Sequence, residues 1–288
     1  MLFRQALSVL FRQALSVLFR QALSVLFRQA LSVLSGTLPP TGVIGRGSRG
    51  GILSMGVLRV ALCAATAALA FGSSSCALDP GAPGPAPGSP SRAAVDDLLS
   101  RVEVVPARPD VPGYERGCRA GQACVFGPSW SDDHSGRGGH DGCDTRNNVL
   151  SVDLTDVVFR QGTHDCVVVS GTLADPYSGQ RIDFTKQDAN AVQIDHVYPL
   201  AAAWDLGAAA WSPELRRDFA NDITYNLLAV DGPENQAKSD STPSQWLPPE
   251  PASHCFYVGK YLSVAVRYGL PITAADRDTI ETIAARCP

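Results

Sequence analysis

The chain has 288 residues, with 24 basic and 28 acidic side chains and a formal charge of −4. Seven of the arginines and none of the acids lie in the first 76 residues, so the remainder carries a charge of −11. A domain that acidic does not attract polyanions through its overall field, and its roughly 200 residues suit one well-cored domain.

Residues 2–33 repeat the octad LFRQALSV four times without variation. Solenoid repeats are longer and diverge as each copy takes its own place in an array. An octad advances about 80° around a helix per copy, so its arginines spiral and form no face. Residues 1–54 are therefore expected to be low-complexity sequence that has no folded role or is not translated; the alternative is a basic, membrane-seeking arm.

Met55 opens the stretch MGVLRVALCAATAALAFGSSSCA, in which Arg59 precedes an apolar run from Val60 to Phe71 and then small residues. This is the layout of a secretory signal peptide over residues 55–77, and the apolar run is too short for a permanent membrane span. Cys76 stands where a lipoprotein carries its lipidated cysteine, while Ser75-Cys76-Ala77 also fits cleavage after Ala77. Secretion and a cell-surface lipid anchor both remain open. Residues 78–92, rich in Pro and Gly, read as a linker.

Six cysteines follow: Cys118, Cys124, Cys143, Cys166, Cys255 and Cys287. An even number in an exported chain reads as disulfides, and pairing neighbours in sequence gives Cys118–Cys124, Cys143–Cys166 and Cys255–Cys287. A zinc site is the weaker reading, because no CxxC or HxxxH spacing occurs.

The predicted elements begin with a helix over 93–102 and a Pro/Gly-rich loop. The run SDDHSGRGGHDG (131–142) reads as a solvated loop, with cation binding as the alternative. Thr145 is expected to cap a short helix to about Leu154. Strands at 157–159 and 166–173 form a hairpin, a turn follows at 175–179, and another strand at 181–184. The segment VQIDHV (192–197) reads as a strand and the Ala-rich LAAAWDLGAAAW (200–211) as a helix. Ser212 and Pro213 start the next helix, which runs to about Asn221. A strand at 226–230, a helix from Gly232, and two closing helices at 256–268 and 273–285 complete an α+β pattern with few, short strands.

Asp195 and His196 interrupt a segment that otherwise wants burial, and a buried charge needs compensation. Strand, insertion, strand and helix follow in order, and two antiparallel strands with a helix can clasp one cation between Asp195 and Asn235. Their hard oxygens favour Mg²⁺ or Mn²⁺. Trp204, Trp211 and Trp246 can stack on bases but at helical spacing read as core.

The ordered segments Asp195-His196-Val197, Pro199-Leu200, Phe219-Ala220-Asn221-Asp222, Asn226–Val230, Asn235, Lys238 and Asp240 resemble the HNH (ββα-metal) endonucleases. Within these they resemble most the C-terminal nuclease domain of GmrSD-type restriction endonucleases, including its secreted bacterial members. Trp130, CDTRNNVL (143–150), GTLADPYSG (171–179) and WLPP (246–249) extend the resemblance to residues 115–287. It implies a ββα-metal core embedded in a mixed, mostly helical, disulfide-stabilised nuclease domain over 93–288. It also implies phosphodiester hydrolysis in DNA, and in RNA as a further substrate, with low sequence specificity. His196 would be the general base, Asp195 and Asn235 the ligands of one Mg²⁺ or Mn²⁺, and Asn226 the residue orienting the loop that presents His196. Asn235 stands where the family's last histidine gives the motif its name. Lys238 would neutralise a phosphate or merely decorate its helix; Arg146 would clamp a phosphate or form a structural salt bridge. A nucleic acid is the expected partner of a monomer with no dedicated protein partner. With an ordinary histidine near pKa 6.5, activity would fall in mildly acidic medium. The competing reading is a disulfide-rich surface binding module that kept the fold and lost catalysis.

Overall fold

A computed structural model describes residues 84–288. The octad repeat, the expected signal peptide and Cys76 lie outside the described residues. In chain order the elements are α1 (Arg92–Arg101), β1 (Val104–Val105), α2 (Thr145–Asp153), β2 (Thr155–Phe159), β3 (Val168–Ala174) and β4 (Arg181–Thr185). They continue with β5 (Val192–His196), α3 (Leu200–Asp205), α4 (Pro213–Ala220), β6 (Leu227–Asp231), α5 (Gly232–Lys238), α6 (His254–Tyr268), β7 (Ile272–Thr273) and α7 (Ala274–Ala284).

Local chemistry explains most boundaries. Ser212 accepts the Leu215 N–H and Pro213 fills the first turn of α4, as the sequence predicts. Thr273 and Asp276 form a reciprocal capping box on α7. The cap of α2 is Asp144, one residue earlier than expected, because its carboxylate accepts from Asn147 N–H. The Ala-rich run is divided: α3 stops at Asp205, Gly207 adopts φ +138°, and a 3₁₀ turn at Ala208–Ala210 follows. Of the expected linker, residues 84–91 pack on the domain, with Ala86 N–H donating to Ala252 O and Pro90 lying against Gly259.

Strands β2, β3 and β4 form an antiparallel sheet, β5 and β6 a separate antiparallel pair, and β1 pairs in parallel with β7. The last pairing was not legible, since two-residue strands carry no periodicity. The three disulfides join Cys118–Cys124, Cys143–Cys166 and Cys255–Cys287, the pairing expected.

The β5–β6 pair lies between two apolar clusters. Val192 and Ile194, with Leu227 and Ala229 opposite, pack with Leu150, Leu173 and Phe184 of the smaller cluster. Val197, Tyr198 and Val230 belong to the larger one, which α6 dominates through Tyr257, Tyr261 and Leu262. Alternation along β5 sends Gln193 and Asp195 to one face and Ile194 and His196 to the other. Both faces are covered, so the strand does not show the simple in-out pattern of a half-buried sheet.

Candidate active site

Helix α5 follows β6 directly and packs back on both strands. Its first turn is fixed by Asp231, whose side chain accepts from Glu234 N–H, with proline in the opening turn. Four residues into the helix, Asn235 donates through Nδ2 to Gln193 Oε1 at 2.9 Å. One turn further, Lys238 runs beneath β5 and is fully buried. Its ammonium donates to Asp195 Oδ1 at 2.9 Å and to the His196 carbonyl at 3.0 Å. Tyr177 closes the other side of Asp195, its hydroxyl donating to Oδ2 at 2.6 Å. Burial, reinforced by the Asp195 charge, pushes the Tyr177 phenol well above its ordinary pKa, so it remains a donor. The compensation that a buried Asp195 demands is therefore a cation and a phenol, both within the protein.

His196 sits at the end of β5. Its Nε2 lies 2.9 Å from the Ala220 carbonyl, which can only accept, so the proton is on Nε2. Nδ1 has no hydrogen-bond partner among the described residues. The indole of Trp130 stacks on the imidazole, with centroids 5.8 Å apart and planes within 10°. Trp130 itself holds φ at +57°, a strained conformation for a bulky residue, with its carbonyl accepting from Thr145 N–H. Burial pulls the His196 pKa down to about 4, with Arg116 and Lys238 adding in the same direction against Ala220 and Asp195. The ring is thus neutral in mildly acidic medium, where the sequence expectation had it charging.

Asn226 is fully buried and accepts the Tyr198 N–H on Oδ1 at 2.9 Å, while Nδ2 reaches the Phe219 carbonyl at 3.3 Å. Val197 N–H donates to the Asn226 carbonyl. Asn226 thereby ties the chain just after His196 to the chain just before Ala220, whose carbonyl holds the imidazole.

A cleft of roughly 820 Å³ opens over this assembly. Asp195, His196 and Asn235 line it, together with Arg108, Tyr114 and Arg116 from the loop after β1. Asn226 and Lys238 are fully buried and do not line it, so Lys238 has no surface left for a phosphate. Arg146 is elsewhere: it lines a separate depression beside Trp130, and its guanidinium donates to the carbonyls of Ala189 and Val192 at 3.0 and 2.9 Å, anchoring the entry to β5. Trp204 is core, and Trp211 and Trp246 pack against it.

Among the described residues no three His, Cys, Asp or Glu side chains converge on a common cation position. The loop at 131–142 is organised internally instead. Asp132 accepts from Asp141 and Gly142 N–H, and buried His134 accepts from Gly136 N–H. Among the hard oxygens at the cleft are those of Asp195 and Asn235, with the carboxylates of Asp110, Asp205 and Asp240 elsewhere in the lining. Each Asp195 oxygen keeps a lone pair beyond the bonds described, and Asn235 Oδ1 has no partner among the described residues. Two such donors fit a cation that leaves its remaining positions to water and phosphate, which is the habit of Mg²⁺.

Sequence reasoning missed the roles of Tyr177, Ala220 and Arg116. Tyr177 lies within a stretch that reads as a turn and extends the family resemblance without assigning it a role, and a backbone carbonyl leaves no trace in residue type. Arg116 is marked only by its nearness to Cys118 and Cys124.

Residues 144–285 match the C-terminal domain of the GmrSD restriction endonucleases. An uncharacterized secreted protein of Arthroderma benhamiae (strain ATCC MYA-4681 / CBS 112371) is 34% identical over 202 residues, which cover 70% of this chain and 88% of that protein. No solved structure matches. The match over the segment that carries β5, β6 and α5, with the relative along nearly its whole length, places the chain in the family of GmrSD restriction endonuclease C-terminal domains.

Proposed function

We propose that the protein is an exported, metal-dependent endonuclease of the HNH (ββα-metal) class. It would hydrolyse phosphodiester bonds in DNA, and in RNA as a second substrate, with low sequence specificity. The observation that carries this reading is a neutral imidazole with one free nitrogen, lining the same cleft as Asp195 and Asn235, in a chain of a nuclease-domain family. The disulfides and the secreted relative support export.

In this reading His196 Nδ1 takes the proton of the attacking water. The imidazolium formed is stabilised by the Nε2–H bond to Ala220 O, and the Trp130 stack fixes the ring plane. Asp195 and Asn235 would hold the divalent cation, which when bound supplies positive charge to the leaving oxygen. Asn226 is a positioning residue for His196. Lys238 keeps Asp195 compensated when no other cation is present, and Arg146 holds the strand that carries both.

The alternative, a binding module without catalysis, is favoured by one observation: both Asp195 oxygens are already engaged by Lys238 and Tyr177. Supercoiled plasmid incubated with the disulfide-bonded protein and Mg²⁺ or Mn²⁺ separates the two. Nicking that disappears with EDTA and in His196→Ala is the expected result. A folded protein that binds Mn²⁺ in calorimetry and never nicks would establish the binding module instead.

A further inference from the structure

The cleft is lined by Asp110, Asp195, Asp205 and Asp240, and a nuclease must bring a phosphodiester into it. The cations in its lining and beneath it are mostly spoken for. Arg108 donates to Asp205 at 2.7 Å and to Asp240 at 3.0 Å, and Lys238 is consumed by Asp195. Arg116 differs. Only its NH1 is engaged, donating to the Gly127 carbonyl at 3.0 Å, and it makes no ion pair among the described residues. Burial is the main influence on it and lowers its pKa, yet arginine keeps its charge in proteins. A half-buried guanidinium with free donors and no carboxylate is an unfavourable arrangement unless an anion visits it.

Its placement is also rigid. Val125 N–H donates to Glu115 O, Cys124 N–H to Gly117 O, and Ala123 N–H to the Glu115 carboxylate. The Cys118–Cys124 disulfide closes this loop, and the guanidinium is tied to Gly127 just beyond it. The disulfide-closed loop thus places an uncompensated cation in the lining of the cleft that His196 also lines, near enough for its charge to act on the imidazole, and from outside the segment that matches the family.

We infer that Arg116 is the phosphate receptor of this cleft, binding the non-bridging oxygens of the phosphodiester that His196 faces. The inference rests on the nuclease reading and adds to it the residue that overcomes an acidic surface. A fork of N–H donors suits that anion better than a point charge, because two oxygens can be bound in parallel.

The test uses the full chain with its disulfides formed. Binding is measured by fluorescence anisotropy of a labelled DNA duplex in a His196→Ala background, across a range of salt concentrations. Adding Arg116→Gln should weaken binding about tenfold and lower the slope of log affinity against log salt by about 0.9, the value of one phosphate contact. Arg116→Lys should retain the slope and recover only part of the affinity. Turnover of bis(p-nitrophenyl) phosphate, which offers a single phosphodiester, should fall in Arg116→Gln with a raised KM. Thermal unfolding of each variant verifies that it is folded; if Arg116→Gln unfolds, Arg116→Lys carries the comparison through the small substrate. Unchanged affinity and slope in a folded Arg116→Gln would overturn the inference, as would a His196→Ala protein that binds no DNA. Intact small-substrate turnover in Arg116→Gln, or unaltered KM in Arg116→Lys, would overturn it equally. DNA binding that depends on Arg116, in a protein that never cleaves, would refute the nuclease reading and leave the receptor standing.

Discussion

His196 carries its competence in its surroundings. The Ala220 carbonyl dictates which nitrogen bears the proton, the Trp130 indole shields one face, and burial holds the ring neutral down to about pH 4. Its basic form therefore predominates above that value, where an ordinary histidine would already be charging near pH 6.5. A cation held at Asp195 acts in the same direction, and a bound phosphodiester in the opposite one. The acid limb of kcat/KM, which reports the free enzyme, is accordingly expected near pH 4 to 5, and the limb of kcat at higher pH. Both limbs lying at 6.5 would mean that the ring is solvated and its tautomer free.

At the scale of elements, the β5–β6 pair and α5 are joined by a polar bolt through an otherwise apolar contact. Lys238 crosses from the helix to the strand and bonds Asp195 and the His196 carbonyl, while Asn235 reaches Gln193 one turn before. Removing one member of a buried pair leaves the other charge uncompensated, so Lys238→Met should destabilise the fold by about 3–5 kcal/mol. Replacing both, Asp195→Asn with Lys238→Met, should recover most of that loss, measured as the urea midpoint at constant m. A single variant as stable as the parent would show that water already reaches the pair. Legibility at this scale was uneven. The strands at 192 and 226 and the helix from Gly232 were readable because apolar runs and a Pro-containing first turn are local signals. That Lys238 would point inward was not, since a lysine seven residues into a helix has the same sequence signature on either face.

For the whole molecule, the site depends on ends of the chain that are far apart in sequence. The loop after β1 supplies Arg108 and Arg116 to a cleft that β5 and α5 also line. The Cys255–Cys287 disulfide, spanning a sequence separation of 32, ties the terminus to α6, and the Arg92 N–H donates to the Pro288 carbonyl. In the chain-entropy description a loop of that length is worth roughly 3–4 kcal/mol, and the loop closed by Cys118–Cys124 roughly 2. Replacing Cys255 and Cys287 together by serine should therefore lower the thermal midpoint more than replacing Cys118 and Cys124. The latter pair should instead weaken nucleic-acid binding more than it lowers stability. Equal effects on stability and binding in both double variants would remove the distinction.

The mixed α/β class of the domain, the three disulfides, most helix and strand positions, and the grouping of Asp195, His196 and Asn235 that the cleft lining shares are legible in the chain alone. Each of these follows from short-range signals: apolar periodicity, capping residues, cysteine order and an ordered motif. Three-dimensional packing alone settles that Lys238 compensates Asp195 from below, that Arg146 anchors a strand, that Tyr177 and Ala220 hold the Asp-His pair, and that Arg116 lines the same cleft. Those contacts join residues from 18 to more than 40 positions apart, or gather them in one cleft lining. Their partners are chosen by which faces the packing of two apolar clusters turns toward each other, and no local pattern in the chain encodes that choice.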